Sequence, residues 1–541
     1  MLGMSLKAVP AGVQEIADFL ADPASYPHPV KSVVLVETHA SIVSLAGQLV
    51  YKVKKPVNYD FLDYSTPGKR RYFCEREIEL NSVLCPDVYL GVVPVVRRGG
   101  RLKFDPSGVG DDVVDYAVHM RRLEEAHFLS SRLERGDVEE SDIQRVANVL
   151  VAFYKRQPCS SDSPGRNLES LRATVLDNLQ RCVEATDVSP DSSYRALRDY
   201  AERFLATRSA LLQRRIEQGW VRNCHGDLRP EHVHLGPDRV RIYDCIEFNE
   251  ALRAIDVAAD VAFLSMELAF AKRWTLSTFL LAQIAEGLRD HDMPKLVDFY
   301  HCYRALVRAK VLMLLAAGTN SVDEARGHHQ ARACKYVQLA LRFALFGSLP
   351  IALVVMGPVG SGKSTLAAAL RDALGWPVLS SDRVRKGLAG LPLHERPDAA
   401  IRQELYSESF SRRVYRRLTE MVRESSEHHG AVIDATFGRR ADRDELNSAL
   451  AGFNWRVQYI ELTAPEDLIS GRLRAREQDS CCISDARLDD LEHLRAQYDP
   501  PLELSNQLIR VDSGGIGAKT VEIALTRLID RSLRNDEGEA V

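Results

Sequence analysis

The chain has 541 residues, of which 45% are hydrophobic and 27% charged, and its formal net charge at pH 7 is −4. A chain of this length does not fold around a single hydrophobic core, so several folding units are predicted. The balanced charge gives no sign of a nucleic-acid or anionic-membrane partner. The ten cysteines form no C-x-x-C pair, which argues against a disulfide framework or a zinc site and favours a reducing, cytoplasmic location. No signal-peptide pattern opens the chain and no apolar run is long enough to span a bilayer, so no membrane association is expected.

The first part of the chain predicts a β-rich unit with one helix. Between residues 31 and 104, short apolar runs alternate with turns, and one charged helical stretch lies near residues 69–84. This pattern is typical of a mixed α+β unit, which we assign to residues 1–118.

Two lysines in the run QLVYKVKK are candidate ligands for nucleotide phosphates. Side chains two apart share a face of a strand, so Lys52 and Lys54 both follow the apolar Val50, and we rank Lys52 first. On the following helix, Glu77 ranks before Glu75 as the carboxylate partner of the lysine. The same lysines are also typical of a solvated edge strand, and Glu77 of an exposed helix face.

The next part of the chain predicts a helical lobe over residues 119–346. Apolar residues recur at intervals of three and four from about residue 142 onward. One loop-rich stretch, at residues 223–249, interrupts this pattern.

That loop-rich stretch carries three polar residues with the spacing of a phosphotransferase site. In CHGDLRPEHVHL and VRIYDCIEFN, they are Asp227, His232 and Asp244. A phosphotransferase of the protein-kinase type needs an Asp that orients the acceptor hydroxyl, a metal ligand five residues later and a second Asp for the metal. A lone His-Gly-Asp turn is also common in surface loops.

These residues, with VYKVKKPV and CEREIEL, resemble the aminoglycoside phosphotransferase-like family, which has a protein-kinase-like fold. The resemblance covers roughly residues 30–345 and implies a bilobal unit in which Asp227 is the catalytic base and Asp244 a metal ligand. The family usually has Asn at the position of His232. An imidazole prefers softer ions than magnesium, which leaves the second metal position open.

From about residue 347 to 532, strands alternate with helices, which predicts a parallel sheet between helices. The nine residues GPVGSGKST follow an apolar run, Ile351 to Met356, and precede a helical stretch. Such a loop turns its N–H groups toward phosphates, while Lys363 reaches the outer phosphates and Ser364 ligates magnesium. The residues expected to bind ATP are Gly357, Gly360, Ser361, Gly362, Lys363, Ser364 and Thr365. The polar residues 533–541 are expected to form a flexible tail.

Further polar residues follow the later strands of this unit. Asp382 lies after the second strand, where a carboxylate can take a proton from an acceptor hydroxyl, and Arg385 lies one turn further on. Asp434 ends an apolar strand and can orient metal or acceptor. Arg472 and Arg476 share a helix face and can close over phosphates. Helix capping by Asp382, backbone binding by Asp434 and solvation of the arginines are the structural alternatives.

The order GPVGSGKST, SSDRVR, VIDATF and RLRAR resembles small P-loop kinases related to gluconate kinase, zeta toxins and the kinase module of polynucleotide kinase. The resemblance covers about residues 350–530. It implies that Asp382 is the catalytic base, Arg385 a substrate contact, and Arg472 with Arg476 lid arginines.

Three hypotheses of function follow. The first is a bifunctional phosphotransferase that uses ATP and Mg²⁺ to phosphorylate hydroxyls of small molecules at two sites. The second is a P-loop kinase regulated by a pseudokinase unit. It is suggested by His232, which stands where the family usually has Asn. The third is a P-loop NTPase switch that acts on a protein partner. Neither the acceptor substrates nor the oligomeric state follow from the sequence.

Overall fold

A computed structural model describes residues 11–59, 62–107, 112–158, 167–184, 192–318, 323–478, 483–485, 487–488, 491–496, 498–514 and 517–538. The chain divides into two compact units. Unit 1 comprises Met1–Thr174, Arg208–Arg304 and Leu315–Val322, and unit 2 comprises Val175–Thr207, Ala305–Leu314 and Asp323–Val541. No helix in these described ranges combines the length and apolar character that a bilayer crossing requires.

The first part of unit 1 is an antiparallel sheet of six strands in the order β1-β2-β3-β8-β6-β7. The elements are α1 (Ala11–Ala21), β1 (Val33–Glu37), β2 (Ser41–Ala46), β3 (Leu49–Lys54), the paired β4 (Asn58–Tyr59) and β5 (Leu62–Asp63), α2 (Pro67–Asn81), β6 (Tyr89–Arg98), β7 (Arg101–Phe104) and β8 (Val113–Arg121). Because β3 pairs with a strand on each side, its lysines do not lie on an edge strand. The edge-strand alternative for Lys52 and Lys54 is therefore wrong.

Helices and two short antiparallel strand pairs follow. The elements are α3 (Leu129–Arg135), α4 (Glu140–Arg156), α5 (Leu168–Glu184), α6 (Ser192–Thr207), α7 (Ser209–Glu217), β9 (Val221–Asn223), β10 (Val233–Leu235), β11 (Val240–Ile242), β12 (Ala254–Asp256), α8 (Val257–Phe270), α9 (Trp274–Leu288), α10 (Val297–Gly318) and α11 (Asp323–Phe346). The strand β9 pairs with β12, and β10 pairs with β11. Asp227 lies between β9 and β10, and Asp244 follows β11, so these two strand pairs position both carboxylates.

Unit 2 has the predicted parallel sheet, in the order β14-β15-β13-β16-β17. Its elements are β13 (Ile351–Met356), α12 (Lys363–Leu374), β14 (Val378–Ser380), α13 (Ser381–Ala389), α14 (Ala399–Leu405), α15 (Glu408–Glu424), β15 (Gly430–Asp434), α16 (Arg440–Ala451), β16 (Arg456–Thr463), α17 (Glu466–Gln478), α18 (Leu491–Ala496), β17 (Leu508–Asp512) and α19 (Gly517–Gly538). The helices α6 and α11 also belong to unit 2, because both pack against α19. The compact units therefore divide the chain differently from the predicted domain boundary at residues 346 and 347.

The core of unit 2 fixes the edge of the sheet at which the phosphate loop lies. All six residues of β13 are buried. One face of α15 packs on the sheet through apolar residues at every fourth position, Phe410, Val414, Leu418 and Val422. Each such side chain contributes about 1.5–3 kcal/mol when fully buried. The carboxyl ends of β13, β14 and β15 are thereby held side by side.

Candidate active sites

The glycine loop of unit 2 has a backbone that only glycine adopts easily. Gly357, Gly360 and Gly362 have φ angles of +135°, +77° and +98°. A Cβ on Gly357 would lie 2.4 Å from the carbonyl oxygen of Leu462, so the loop passes directly over β16. The loop then leads into α12, whose first N–H groups form a positive end suited to an anion.

Lys363 begins α12 and bends back over its own loop. Its ammonium donates to the carbonyl oxygens of Gly357 at 3.0 Å and of Pro358 at 2.9 Å. Burial lowers the pKa of this ammonium, and the charges of Asp434 and Asp382 oppose that shift. Both carboxylates thus lie within electrostatic reach of Lys363.

Asp434 ends β15 and is 7% exposed. Burial raises the pKa of its carboxyl, while Lys363 and a hydrogen bond with the Ser364 hydroxyl oppose the rise. A hydroxyl and a carboxylate oxygen side by side are the hard ligands that Mg²⁺ prefers. Ser364 and Asp434 therefore fit a magnesium ion.

Asp382 lies in the first turn of α13, close to the phosphate loop. Its charge acts on the pKa of both Lys363 and Asp434. The N-cap of α13 is Ser380, and no side chain caps this helix. The capping alternative for Asp382 is therefore not supported.

Arg385 is buried in the wall of unit 2. One guanidinium nitrogen donates to the Leu405 carbonyl at 2.5 Å and to the Ser411 hydroxyl at 3.2 Å, and the group lies 4.5 Å from the centre of the Tyr406 ring. These bonds hold α13 to α15 and to the end of α14. In the structure, Arg385 therefore holds helices together, and its predicted contact with substrate stays a prediction.

The two lid candidates on α17 occupy different places. Arg472 donates to the carbonyl oxygens of Gly360 at 3.3 Å and Ser513 at 2.9 Å, so it supports the loop. Arg476 acts on the pKa of both Lys363 and Asp434. Arg472 thus contacts the phosphate loop, and the charge of Arg476 reaches Lys363 and Asp434, while the lid role of both arginines stays a prediction.

A shallow surface pocket opens beside Arg476, and the sequence reasoning missed it. It is lined by Arg396, Pro397, Arg402, Arg476, Glu477, Ser484, Asp485 and Arg487. Burial raises the pKa of the Asp485 carboxyl, Lys386 opposes the rise, and the charge of Asp382 adds to it. Asp382 does not line the pocket, but its charge reaches Asp485 in the pocket wall.

In unit 1, Lys52 joins β3 to α2 and to the segment after β11. Its ammonium lies 2.9 Å from Glu77 Oε1 and 2.7 Å from Asp244 Oδ1. Glu75 instead pairs with Arg71 in an exposed ion pair at 2.8 Å. The predicted partnership of Lys52 with Glu77 is present, and the binding of phosphate by Lys52 stays a prediction.

Lys54 is buried more deeply than Lys52, with 1% of its surface exposed. It donates to Glu77 Oε2 at 2.7 Å, to the Tyr64 hydroxyl at 3.3 Å and to Glu247. Burial opposes the charge on Lys54, but Glu247 and Glu77 outweigh it and raise the pKa of the ammonium. Glu247 had no predicted role, because its place beside β3 depends on tertiary structure.

Asp227 is clamped by a neighbour that sequence reasoning missed. Arg229 donates to both its carboxylate oxygens, at 2.9 and 3.0 Å. Burial disfavours the charged carboxylate, but Arg229 and His232 outweigh it and hold the pKa of Asp227 below its usual value. The signal for Arg229 was its place two residues after Asp227 in HGDLRP.

The backbone just before Asp227 is held by contacts with Leu252 and Asp260. Gly226 has a φ of +85°, and a Cβ there would lie 2.8 Å from the Leu252 carbonyl oxygen. The fully buried Asp260 accepts hydrogen bonds from the backbone N–H groups of His225 at 2.9 Å and Gly226 at 2.8 Å. These contacts hold the backbone immediately before Asp227 in place.

His232 and Asp244 are the candidate metal ligands of unit 1. His232 Nδ1 lies 2.8 Å from the Asp227 carbonyl oxygen, so it donates there, and Nε2 lies 3.6 Å from Asp244 Oδ2. In the described part of the chain, no three His, Cys, Asp or Glu side chains group as a metal site would need. One imidazole and one carboxylate fit magnesium less well than the oxygens of unit 2.

The geometry of unit 2 is that of a phosphate-binding-loop domain, and a family model agrees. The model AAA_33, described as an AAA domain, matches residues 353–501. The chain is also 30% identical over 456 residues to the uncharacterized proteins Rv2004c of Mycobacterium tuberculosis and Mb2027c of Mycobacterium bovis. Each alignment covers 83% of this chain and 88% of the relative. The chain therefore belongs to the same family as these mycobacterial proteins.

Solved structures align with parts of the chain. A gluconokinase from Sinorhizobium meliloti 1021 is 20% identical, with 36% of this chain and 99% of that chain covered and a TM-score of 0.27. A choline/ethanolamine kinase family protein from Mesorhizobium loti is 16% identical, with 61% and 94% covered and a TM-score of 0.36. Alignments at these TM-scores carry no argument about function.

Proposed function

We propose that this protein is an ATP-dependent phosphotransferase with two sites, each of which moves the γ-phosphoryl group of ATP to a hydroxyl of a small molecule. The main support is in unit 2, where Lys363, the Ser364–Asp434 pair and Asp382 meet at one edge of the parallel sheet. Binding of ATP alone needs the loop and the magnesium ligands. A further carboxylate at Asp382 is what an acceptor hydroxyl requires.

In unit 2, each side chain has one task. Lys363 exchanges its two carbonyl partners for phosphate oxygens, and Asp382 accepts the proton of the acceptor hydroxyl. Arg476 stabilises the negative charge that develops on the transferred group. Ser364 and Asp434 hold magnesium, which neutralises phosphate charge when bound.

The arginine pocket that contains Asp485 is the proposed acceptor site of unit 2, because the charge of Asp382 reaches Asp485. Four guanidinium groups face two carboxylates around its wall. Guanidinium groups bind carboxylate and phosphate groups in a bidentate way. The acceptor we propose is accordingly a hydroxyl compound that carries a carboxylate or a phosphate.

In unit 1, the proposed chemistry is the same with different residues. Asp227 accepts the hydroxyl proton, Lys52 binds phosphate oxygens, and Glu77 holds Lys52 in place. Arg229 keeps Asp227 ionised, which a base requires. Asp244 and His232 are the residues that would hold the metal.

Two observations favour a second candidate, in which unit 1 binds nucleotide without transferring a phosphoryl group. His232 occupies one candidate metal position, and Lys52 is tied to Asp244 at 2.7 Å. In that case, unit 1 regulates the kinase of unit 2. Both candidates require ATP at the phosphate loop.

The experiment is calorimetric titration of MgATP into the full chain and into the variants Lys363→Ala and Asp244→Ala. We expect two sites in the wild type and the loss of a different one in each variant. A single site, abolished by Lys363→Ala and unchanged by Asp244→Ala, would contradict the two-site proposal. If Asp227→Asn changes the rate of phosphoryl transfer in no assay while two nucleotide sites remain, the regulatory candidate would be favoured.

A further inference from the structure

The edge strand β1 of unit 1 is apolar and open. Val34, Leu35 and Val36 are 53%, 37% and 46% exposed. β1 pairs with β2 on one side and has no neighbour on the other among the described residues. Protein sheets usually protect such edges with charge, as the opposite edge strand β7 does with Arg101 and Lys103. β1 has no charge at its centre.

The hydrogen-bond register shows which residues point outward. The Thr38 N–H donates to the Ser41 carbonyl oxygen at 2.9 Å, so Thr38 and Ser41 form a hydrogen-bonded pair. Hydrogen-bonded pairs alternate along an antiparallel ladder, so Val34 and Val36 also bond to β2. The N–H and C=O groups of Val33, Leu35 and Glu37 therefore point away from the sheet.

A second copy of the same strand satisfies these groups. Two β1 strands that run antiparallel about Val34 place Val33 opposite Leu35 and Val34 opposite itself. This register joins outward-pointing residues to each other, as a hydrogen-bonded ladder requires. Lys31 is exposed and lies two residues before β1 begins; where the extended chain continues to it, the same register places Lys31 opposite the exposed Glu37, twice for each pair of strands.

We propose that the β1 edge is a self-association surface, through which two copies of this chain pair in an antiparallel two-fold arrangement centred on Val34. The sheet then continues from one protomer into its partner. The apolar side chains of both strands are covered, and two Lys31–Glu37 pairs fix the register. Glu37 also accepts from Lys55 of its own chain, at 2.5 Å, so each carboxylate lies between two ammonium groups.

The test exchanges the charges one at a time. Lys31→Glu places Glu opposite Glu, and Glu37→Lys places Lys opposite Lys, so each variant is expected to raise the dimer Kd by about tenfold or more. When the two variants are mixed, every cross-strand pair is again opposite in charge, and a heterodimer is expected. Lys103→Glu, the same change on the other edge of the sheet, is the control and should dimerise as the wild type does.

Sedimentation velocity on the full chain measures these species, and circular dichroism with MgATP binding checks that each variant folds. A wild-type dimer, weakened in each variant and restored in the mixture, would support the proposal. A wild-type monomer at all concentrations, or a dimer insensitive to both changes, would overturn it. A monomer whose Leu35 amide is protected from exchange until residues 1–10 are removed would assign the edge to the chain's own first residues and would also overturn it.

Discussion

Lys54 donates a hydrogen bond to Glu77 at 2.7 Å, and the side chains of both residues are completely buried. The other oxygen of Glu77 accepts from Lys52, whose side chain is 15% exposed. One carboxylate thus joins a lysine that reaches the site and a lysine that does not. Lys54, with Glu247 and Tyr64 on its far side, belongs to the framework that holds Lys52.

Replacement of Lys54 with Met is expected to destabilise unit 1 strongly. The change leaves Glu77 and Glu247 buried without their shared cation, and removal of one partner from a buried pair costs about 3–5 kcal/mol. Urea unfolding of the full chain, followed by a signal from unit 1, measures the loss of unfolding free energy.

Lys52→Met is the matched control, because it removes the same group two residues away on the same strand. Its partner Asp244 is 38% exposed, so water compensates for the missing ammonium. We expect a smaller loss of stability than for Lys54→Met, together with weaker nucleotide binding at unit 1. Equal losses of stability would contradict the division of roles between the two lysines.

Asp382→Asn is expected to separate nucleotide binding from phosphoryl transfer in unit 2. An amide cannot accept the acceptor's proton, and loss of general-base catalysis costs about 10²–10⁴-fold in rate. MgATP affinity should change little, because Asp382 is not among the loop residues that surround phosphate. Transfer by unit 2 is measured in an Asp227→Asn background, so that unit 1 contributes no signal.

The control for this variant is Asp372→Asn, an exposed aspartate on α12 that pairs with Arg371. It should leave both binding and transfer unchanged. If Asp382→Asn leaves ATP turnover unchanged, Asp382 does not act as a base for an acceptor hydroxyl. The P-loop NTPase switch would then be the better account of unit 2.

Much of unit 2 could be predicted from the sequence, because its signals are local. A strand, a glycine loop and a helix follow one another, so the neighbours of Lys363 in space are also neighbours in the chain. Asp382 follows β14 and Asp434 ends β15, and parallel strands bring their carboxyl ends to one edge. The place of Arg385 was not predictable, because the Leu405 carbonyl and the Tyr406 ring that hold it come from another helix.

In unit 1, the pairing of Lys52 with Glu77 could be predicted from the sequence, but the burial of Lys54 could not. The face shared by Lys52 and Lys54 is a matter of alternation along one strand, and the choice of Glu77 over Glu75 agrees with burial. The deeper position of Lys54 depends on Glu247, which lies 193 positions further along the chain. Patterns of neighbouring residues in the sequence do not show which residues so far apart in the chain will be in contact.

His232 is expected to shift the metal preference of unit 1. Its Nε2 lies 3.2 Å from a guanidinium nitrogen of Arg229 and 3.6 Å from Asp244 Oδ2. An imidazole with a carboxylate binds Mn²⁺ more readily than Mg²⁺. Calorimetric titration of ATP into Lys363→Ala, which isolates unit 1, should give tighter binding with Mn²⁺ than with Mg²⁺. Adding His232→Asn should reduce the difference in ATP affinity between Mn²⁺ and Mg²⁺, because it improves binding with Mg²⁺. If the ratio of the two affinities is unchanged by His232→Asn, His232 does not determine the metal preference.

Asp244 is expected to make unit 1 sensitive to acid. Burial disfavours its charge, but Lys52 and His232 outweigh that effect and hold the pKa of the folded carboxyl below its unfolded value, which is about 4. The folded state therefore binds fewer protons, so this carboxylate stabilises unit 1 above pH about 4 and the stabilisation is lost as pH falls toward the folded pKa. Calorimetric melting between pH about 3 and 7 should show a flatter profile for Asp244→Asn than for the wild type. Asp18→Asn, an exposed change on α1, should follow the wild type. Parallel profiles for Asp244→Asn and the wild type would mean that the Lys52–Asp244 pair does not contribute to folding.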